Sequence, residues 1–127
     1  MDRFFFNILV QDVATSKAFY VDLLGMHLHF DSDWFVILKP NVGSAIEFGI
    51  IDRTNSIVPK SVTVSPGGSY PTFVVQDCDA IYAQAVELGI EVLEQPTDMF
   101  YGQKRMLVRD PDGLTIDISS PTAEVSG

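Results

Sequence analysis

Residues 10–25 read VQDVATSKAFYVDLLG, and residues 75–89 read VQDCDAIYAQAVELG. Shifting the chain by 65 positions aligns the two segments at Val-Gln-Asp, with a one-residue adjustment before the closing glycine. In both segments, apolar residues three or four positions apart predict a helix with one buried face. Gly25 and Gly89 are typical of the residue that follows a helix. The chain therefore contains two copies of one module.

Each helix has signals for its first and last residues. Hydroxyl and acidic side chains at a helix start accept hydrogen bonds from the free backbone N–H groups of the first turn. The predicted helices run from a cap at Thr15 or Ser16 to Leu24, and from a cap at Asp77 or Asp79 to Leu88.

Short runs rich in β-branched and aromatic residues surround both helices. One run precedes each helix and three follow it, which predicts the order βαβββ twice and an α+β fold. We predict a single domain over residues 1–127, with module one at about 4–51, a linker at 52–69 and module two at about 70–121. The predicted strands are 4–10, 26–30, 34–38 and 44–50 in the first module, and 70–75, 90–93, 104–109 and 114–119 in the second.

Composition narrows the class of protein. The chain has 127 residues, 46% of them hydrophobic, which suits one soluble domain with a real core. The net charge of −9, with no Lys or Arg from residue 61 to 103, argues against nucleic acid and membrane surfaces as partners. No apolar run is long enough to span a membrane and the first residues do not resemble a leader, so we expect a cytoplasmic protein. The single cysteine, Cys78, is expected to be buried and unpaired.

Three motifs in a fixed order carry a resemblance to a known superfamily. They are Val10-Gln11-Asp12 after the first strand, Leu24-Gly25-Met26 after the first helix, and Arg109-Asp110-Pro111-Asp112-Gly113 near the end. The chain resembles the vicinal oxygen chelate superfamily, which includes glyoxalase I, extradiol dioxygenases and the bleomycin-resistance proteins. The resemblance implies two modules that form an open-barrel cup around a cavity. It also implies a homodimer, either with the cup completed by strands of both chains, as is often found in the family, or with the two chains side by side.

The same resemblance identifies four positions where enzymes of the group hold a metal ion. In this chain they are Phe5, Glu47, Tyr70 and Asp117. Phe5 has no donor atom and a neutral Tyr70 is a poor ligand, so two carboxylates remain. The resemblance therefore implies a metal-free protein of the bleomycin-resistance type, without a cofactor, that sequesters a small molecule. The alternative is a glyoxalase-type or dioxygenase-type enzyme in which Glu47 and Asp117 hold a divalent metal.

Glu47 and Asp117 have apolar neighbours, and a carboxylate is costly to bury without compensation. They either face a cavity and bind a cationic group, or face solvent, or pair with Lys104, Arg105 or Arg109. Aromatic side chains beside carboxylates suit a flat hydrophobic or cationic ligand. The predicted ligand-binding residues are Phe5, Asn7, Trp34, Glu47, Tyr70, Tyr101, Arg105 and Asp117.

The pair His27 and His29 is a second metal-binding pattern. Alternation along a strand puts both imidazoles on one face, where two histidines are able to ligate zinc. Only Asp31 follows on that face, and zinc sites normally recruit three or four protein ligands. We therefore interpret this strand as having a solvated face.

Overall fold

The structure is a computed structural model that describes residues 1–62 and 66–122. The chain divides into two compact units, one before Pro66 and one from Pro66 onward. Each unit contains one helix and one four-stranded sheet. In the described ranges, neither helix is long and apolar enough to cross a membrane.

The first unit contains five elements in the predicted order. They are β1 (Phe6–Val10), α1 (Val13–Leu24), β2 (His27–Asp31), β3 (Phe35–Lys39) and β4 (Phe48–Asp52). The sheet order is β1-β4-β3-β2, with β1 parallel to β4 and the other pairs antiparallel. The first and last strands of the βαβββ sequence therefore lie side by side.

The second unit repeats this arrangement. Its elements are β5 (Thr72–Val74), α2 (Cys78–Glu87), β6 (Val92–Asp98), β7 (Gln103–Arg109) and β8 (Thr115–Pro121). The order β5-β8-β7-β6 and the parallel pair β5 and β8 match the first unit. The predicted α+β class and the double βαβββ order are confirmed, and neither sheet of the described residues closes into a barrel.

The first helix starts earlier than the sequence predicted. Asp12, and neither Thr15 nor Ser16, is the cap: its extended backbone lets the carboxylate accept from the N–H of Thr15 at 3.2 Å. Ser16 is instead fully buried inside the helix. Of the two caps predicted for α2, Asp77 and Asp79, the structure has Asp77, which accepts from the N–H of Ala80 at 3.2 Å.

Several strand boundaries also differ from the prediction. Strand β4 begins at Phe48, four residues after the predicted start, and β5 begins at Thr72 instead of residue 70. Strand β6 covers Val92–Asp98 and includes Pro96, which an edge strand tolerates because its outer N–H groups need no partner. As a result Phe5, Glu47 and Tyr70 lie just before strands instead of inside them.

In each unit the helix covers one face of its sheet. Tyr20 of α1 is fully buried, and its ring centroid lies 4.9 Å from that of Phe48 on β4. In the second unit Cys78 of α2 donates its thiol to the carbonyl of Ile118 on β8, at 3.4 Å. These contacts leave the opposite face of each sheet for other side chains.

Cys78 is expected to be inert in the folded protein. Burial, and then the nearby Asp79 carboxylate, raises the pKa of the Cys78 thiol to about 11, so the reactive thiolate is scarce at neutral pH. Ellman's reagent at about pH 8 should leave the native thiol unmodified and should modify one thiol per chain in denaturant. Rapid reaction of the native protein would contradict this burial.

Candidate functional site

The helix-free face of the first sheet carries predicted site residue Asn7. Asn7 on β1 pairs with Gly49 on β4. A Cβ atom at Gly49 would collide with Asn7 Oδ1 in its present position and would lie 3.4 Å from a ring carbon of Phe35. The Asn7 side chain therefore reaches across from β1 and lies against the backbone of Gly49 on β4.

Four aromatic rings meet beside Asn7 in the first unit. The ring centroid of Phe35 lies 6.3 Å from that of Phe5, 5.7 Å from Phe30 and 5.4 Å from Trp34. We call these four side chains the aromatic face. Phe5, Trp34 and Phe35 are half-buried, and Phe30 is exposed, so the rings remain partly accessible. Phe5 and Trp34 were predicted site residues, whereas Phe30 and Phe35 were missed although strand alternation places them on this face.

The Glu47 carboxylate lies at the edge of the aromatic face and is paired with Arg3. Arg3 Nε donates to Glu47 Oε2 at 2.7 Å, and Arg3 Nη2 donates to Glu47 Oε1. The guanidinium also lies 4.9 Å from the centroid of the Phe5 ring, a cation–π arrangement. Glu47 is buried, so the two-bond pair provides the compensation that a carboxylate needs there.

Pairing with Lys104, Arg105 or Arg109 was one of the alternatives that the sequence left open for the two acids, and for Glu47 the observed partner is Arg3. This partner follows from the strand register, which the sequence alone does not specify. Phe6 pairs with Phe48, so Phe5 and Glu47 are level, and Arg3 precedes Phe5 by two residues on the same side.

This pairing predicts how stability depends on pH. The hydrogen bonds from Arg3 hold the pKa of Glu47 below its usual value. The pair therefore stabilises the fold above the unfolded-state pKa of about 4.3, and the contribution is lost as pH falls through the folded-state pKa. The Arg3 side chain is 55% exposed, so solvent screens the effect. Urea midpoints between about pH 3 and pH 7 should fall less on acidification in Arg3→Gln than in the wild type.

The control for this prediction is Lys60→Gln, which removes the same charge from an exposed position of the same unit. Its acid dependence should match that of the wild type. Equal acid dependence in the wild type and Arg3→Gln would contradict the role assigned to the pair.

The second unit has a polar face in the corresponding position. Asp117 on β8 is 6% exposed and accepts from Thr72 Oγ1 at 3.0 Å and from Ser119 Oγ at 2.6 Å. Arg105 on β7 contacts both Glu94 oxygens, at 3.1 and 3.2 Å. The Asp117 carboxylate is thus held by hydroxyl groups, in contrast to the guanidinium that holds Glu47.

Register shows why Tyr70 is not the neighbour of Asp117. The residue level with Asp117 is Thr72, and Tyr70 precedes it by two positions. Tyr70 is 60% exposed and lies next to Thr115 in a groove of the second unit. The sequence repeat aligns Phe5 with Tyr70. In the first unit Phe5 is level with Glu47, but in the second unit the residue level with Asp117 is Thr72, two positions after Tyr70. Thr72 is therefore a polar neighbour of Asp117 that sequence matching missed.

Tyr101 lies in the turn between β6 and β7. It is 46% exposed, and its ring packs edge-on against Phe100 with centroids 5.2 Å apart. The following Gly102 has a φ of 85°, which favours glycine in this turn. The turn presents two exposed aromatic rings on the second unit.

The described residues do not fit a metal centre. Residues 1–62 and 66–122 contain no group of three or more His, Cys, Asp or Glu side chains placed to hold an ion. The two carboxylates expected as ligands already have Arg3 and two hydroxyl groups as partners. His27 and His29 are exposed, as expected for a solvated face, and the neighbouring Asp31 pairs with Lys17 at 3.2 Å.

Two mixed sheets in βαβββ units, each with its helix-free face lined by side chains, define the class of fold to which glyoxalases belong. The sequence model of the Glyoxalase/Bleomycin resistance protein/Dioxygenase superfamily matches residues 4–118, and the chain belongs to this superfamily. The resemblance drawn from the motifs is thereby confirmed.

Relatives with a name or a solved structure span nearly the whole chain. A probable lactoylglutathione lyase of Synechocystis is 27% identical over 116 residues, which cover 87% of this chain and 88% of the relative. A superfamily member from Sphaerobacter thermophilus superposes with a TM-score of 0.75 at 23% identity, covering 94% of this chain and 97% of the other. TnmS3, an antibiotic binding protein from Streptomyces, gives a TM-score of 0.74 at 24% identity, covering 96% and 97%. These two structural similarities concern the fold.

Proposed function

We propose that this protein binds a small planar hydrophobic molecule on the aromatic face of the first unit, without a metal ion. The observation that carries the proposal is the set of four partly accessible rings, namely Phe35 and the three rings around it. Aromatic rings and a few fixed polar groups are typical of small-molecule sites. Asn7 and the Arg3–Glu47 pair would supply those polar groups at the edge of the site.

The charge of the site indicates whether the ligand is cationic or uncharged. Sequence alone predicted a hydrophobic or cationic ligand in an acidic aromatic cavity. Because Arg3 balances the Glu47 charge, the first unit offers a cation less attraction than an unpaired carboxylate would. The geometry therefore favours an uncharged planar ligand over a cationic one. The second-unit residues Tyr70, Tyr101, Arg105 and Asp117 stay predicted ligand contacts.

Trp34 is the only tryptophan of the chain and belongs to the aromatic face, so its fluorescence reports directly on this site. The chain should be titrated with three planar probes: neutral N-phenyl-1-naphthylamine, cationic thioflavin T and anionic anilinonaphthalene sulfonate. Saturable quenching that is strongest with the neutral probe is expected. Strongest quenching by thioflavin T would support the cationic ligand instead, and no saturable quenching with any probe would refute the proposal.

The antibiotic-binding relative supports a small molecule as the ligand, and the exposed apolar side chains support assembly into a homodimer. TnmS3 is an antibiotic binding protein, so binding a small molecule is one use of this fold. Exposed apolar residues such as Phe4, Leu28 and Leu93 favour the homodimer that we also propose. Native mass spectrometry of the purified protein would test the dimer.

The second candidate function is a metal-dependent lyase. The observation that favours it is the 27% identity to the probable lactoylglutathione lyase of Synechocystis. In this case manganese, nickel or zinc should raise the melting temperature, and Glu47→Gln with Asp117→Asn should abolish the rise. A bound stoichiometric metal would favour this function over the metal-free one.

A further inference from the structure

An open groove of about 700 Å³ lies on the second unit. One wall is the segment 66–70, which precedes β5. The other wall consists of Arg109 at the end of β7 and residues 113–115 at the start of β8. We call this feature the 66–70 groove, and none of its residues belongs to the aromatic face.

Hydrogen bonds hold the wall formed by Arg109 and residues 113–115 in place. Asp110 Oδ1 accepts from the backbone N–H groups of Asp112 and Leu114, each at 2.9 Å, which fixes the turn before β8. Arg109 Nη1 donates to the carbonyl of Gly113 in the same turn at 2.9 Å. This wall of the groove is therefore preformed.

Arg109 is the least tightly paired of the three basic residues in the second unit. Lys104 and Arg105 each have a carboxylate oxygen, at 2.9 and 3.1 Å respectively. The nearest carboxylate oxygen to Arg109 belongs to Glu91, at 3.5 Å, and these two side chains are 41% and 65% exposed. A pair this long and this exposed binds weakly, so the Arg109 guanidinium retains N–H groups for another acceptor.

The facing wall offers further donors. Among the residues that the structure describes, the backbone N–H groups of Gly67, Gly68 and Ser69 have no hydrogen-bond partner. Gly68 has a φ of 73°, a left-handed conformation that glycine adopts without strain. Ser69 and Thr115 also line the groove, and each carries a hydroxyl group. Backbone N–H groups in such turns are common ligands of anions.

We propose that the 66–70 groove binds the oxyanion of a small molecule, either a carboxylate or a phosphate. The Arg109 guanidinium would contact two of its oxygens, a geometry that suits both groups. The free N–H groups of residues 67–69 would donate to the oxyanion from the facing wall. The Tyr70 ring and Leu114 would contact the adjoining apolar part of the ligand. Because the chain as a whole carries a charge of −9, capture of an anion depends on this local cation.

A titration of the full chain, in which two-dimensional NMR follows the chemical shifts of the backbone amides, tests this site. The probes are inorganic phosphate, acetate and benzoate at constant ionic strength, with sodium chloride as the blank. Saturable shifts at the amides of residues 67–69 and 114 are expected. Benzoate binding more tightly than acetate and phosphate would identify a carboxylate with an attached ring, and tightest binding of phosphate would identify a phosphate ligand.

Arg109→Gln is expected to weaken binding about tenfold or more, since a hydrogen bond to a charged group is removed. The matched control is Lys104→Gln, which removes the same charge from the opposite face of the same strand and should leave binding unchanged. Arg109→Lys keeps the charge and should recover part of the affinity.

No saturable shift with any probe would overturn the proposal, as would equal weakening in Arg109→Gln and Lys104→Gln. A folded Arg109→Lys variant that binds no better than Arg109→Gln would also overturn it. Unchanged shifts elsewhere in the spectrum show that each variant is folded. Failure of the anion site leaves the Trp34 titration unaffected, because that experiment reports on residues of the first unit.

Discussion

Ile118→Ala is expected to lower the free energy of unfolding by about 2–5 kcal/mol, because it leaves a cavity in a closely packed interior. Ile118 on β8 is fully buried, pairs with Met106 on β7, and accepts the Cys78 thiol at its carbonyl. Urea unfolding followed by circular dichroism measures the change. Val74→Ala is the control, because Val74 is 66% exposed on β5 of the same unit and its truncation should cost at most about 0.5 kcal/mol.

The companion substitution in the first unit is Ile50→Ala. Ile50 on β4 is fully buried between Ile8 and Val36, so a similar loss is expected. If residues 1–127 form the single domain that the sequence predicts, each substitution lowers the midpoint of one common transition. Two separate transitions, each lowered by only one substitution, would contradict the single-domain prediction.

Phe5→Ala is expected to weaken binding of a planar probe by about tenfold or more, because truncating a large aromatic side chain in a binding site commonly costs that much. Phe5 contacts the Phe35 ring and lies beneath the Arg3 guanidinium, so its loss opens the edge of the aromatic face. The measurement is Trp34 quenching by N-phenyl-1-naphthylamine, for the wild type and the variant.

Phe6→Ala provides the matched control for this substitution. Phe6 is the next residue, is 42% exposed, and points to the opposite side of the sheet. It should bind the probe as the wild type does. Equal weakening in both variants would point to a general loss of structure, and unchanged binding in Phe5→Ala would remove Phe5 from the site.

Much of the fold was readable from the sequence because local patterns determine it. The apolar spacing of α2 and its cap Asp77 depend on residues within a few positions of each other. The cap of α1 was misassigned because Asp12, Thr15 and Ser16 are all good capping residues. The residue that caps the helix depends on where the preceding strand ends, and the capping preferences of residue types do not give that position.

The candidate site was less predictable, because its contacts join distant parts of the chain. Nothing local to Glu47 indicates that Arg3, 44 positions away, provides its partner. The pairing of Thr72 with Asp117 likewise follows from strand register. Alignment of the repeat matches motifs but does not fix which residues of two paired strands are level. A shift of two residues between paired strands keeps the same side chains on the buried face, so the hydrophobic pattern does not reveal it. The chemistry of the neighbours of Glu47 and Asp117 therefore required the structure.

The two-residue offset between the parallel strand pairs also limits where a metal ligand could be introduced into this chain. A histidine introduced at the position that motif alignment recommends, Tyr70, would be level with Thr115 and would miss Asp117. The productive position in the second unit is Thr72, whose side chain already reaches the Asp117 carboxylate. A new ligand beside Asp117, whether engineered or selected, would therefore have to be placed by the strand register of the second unit and not by alignment of the two repeats.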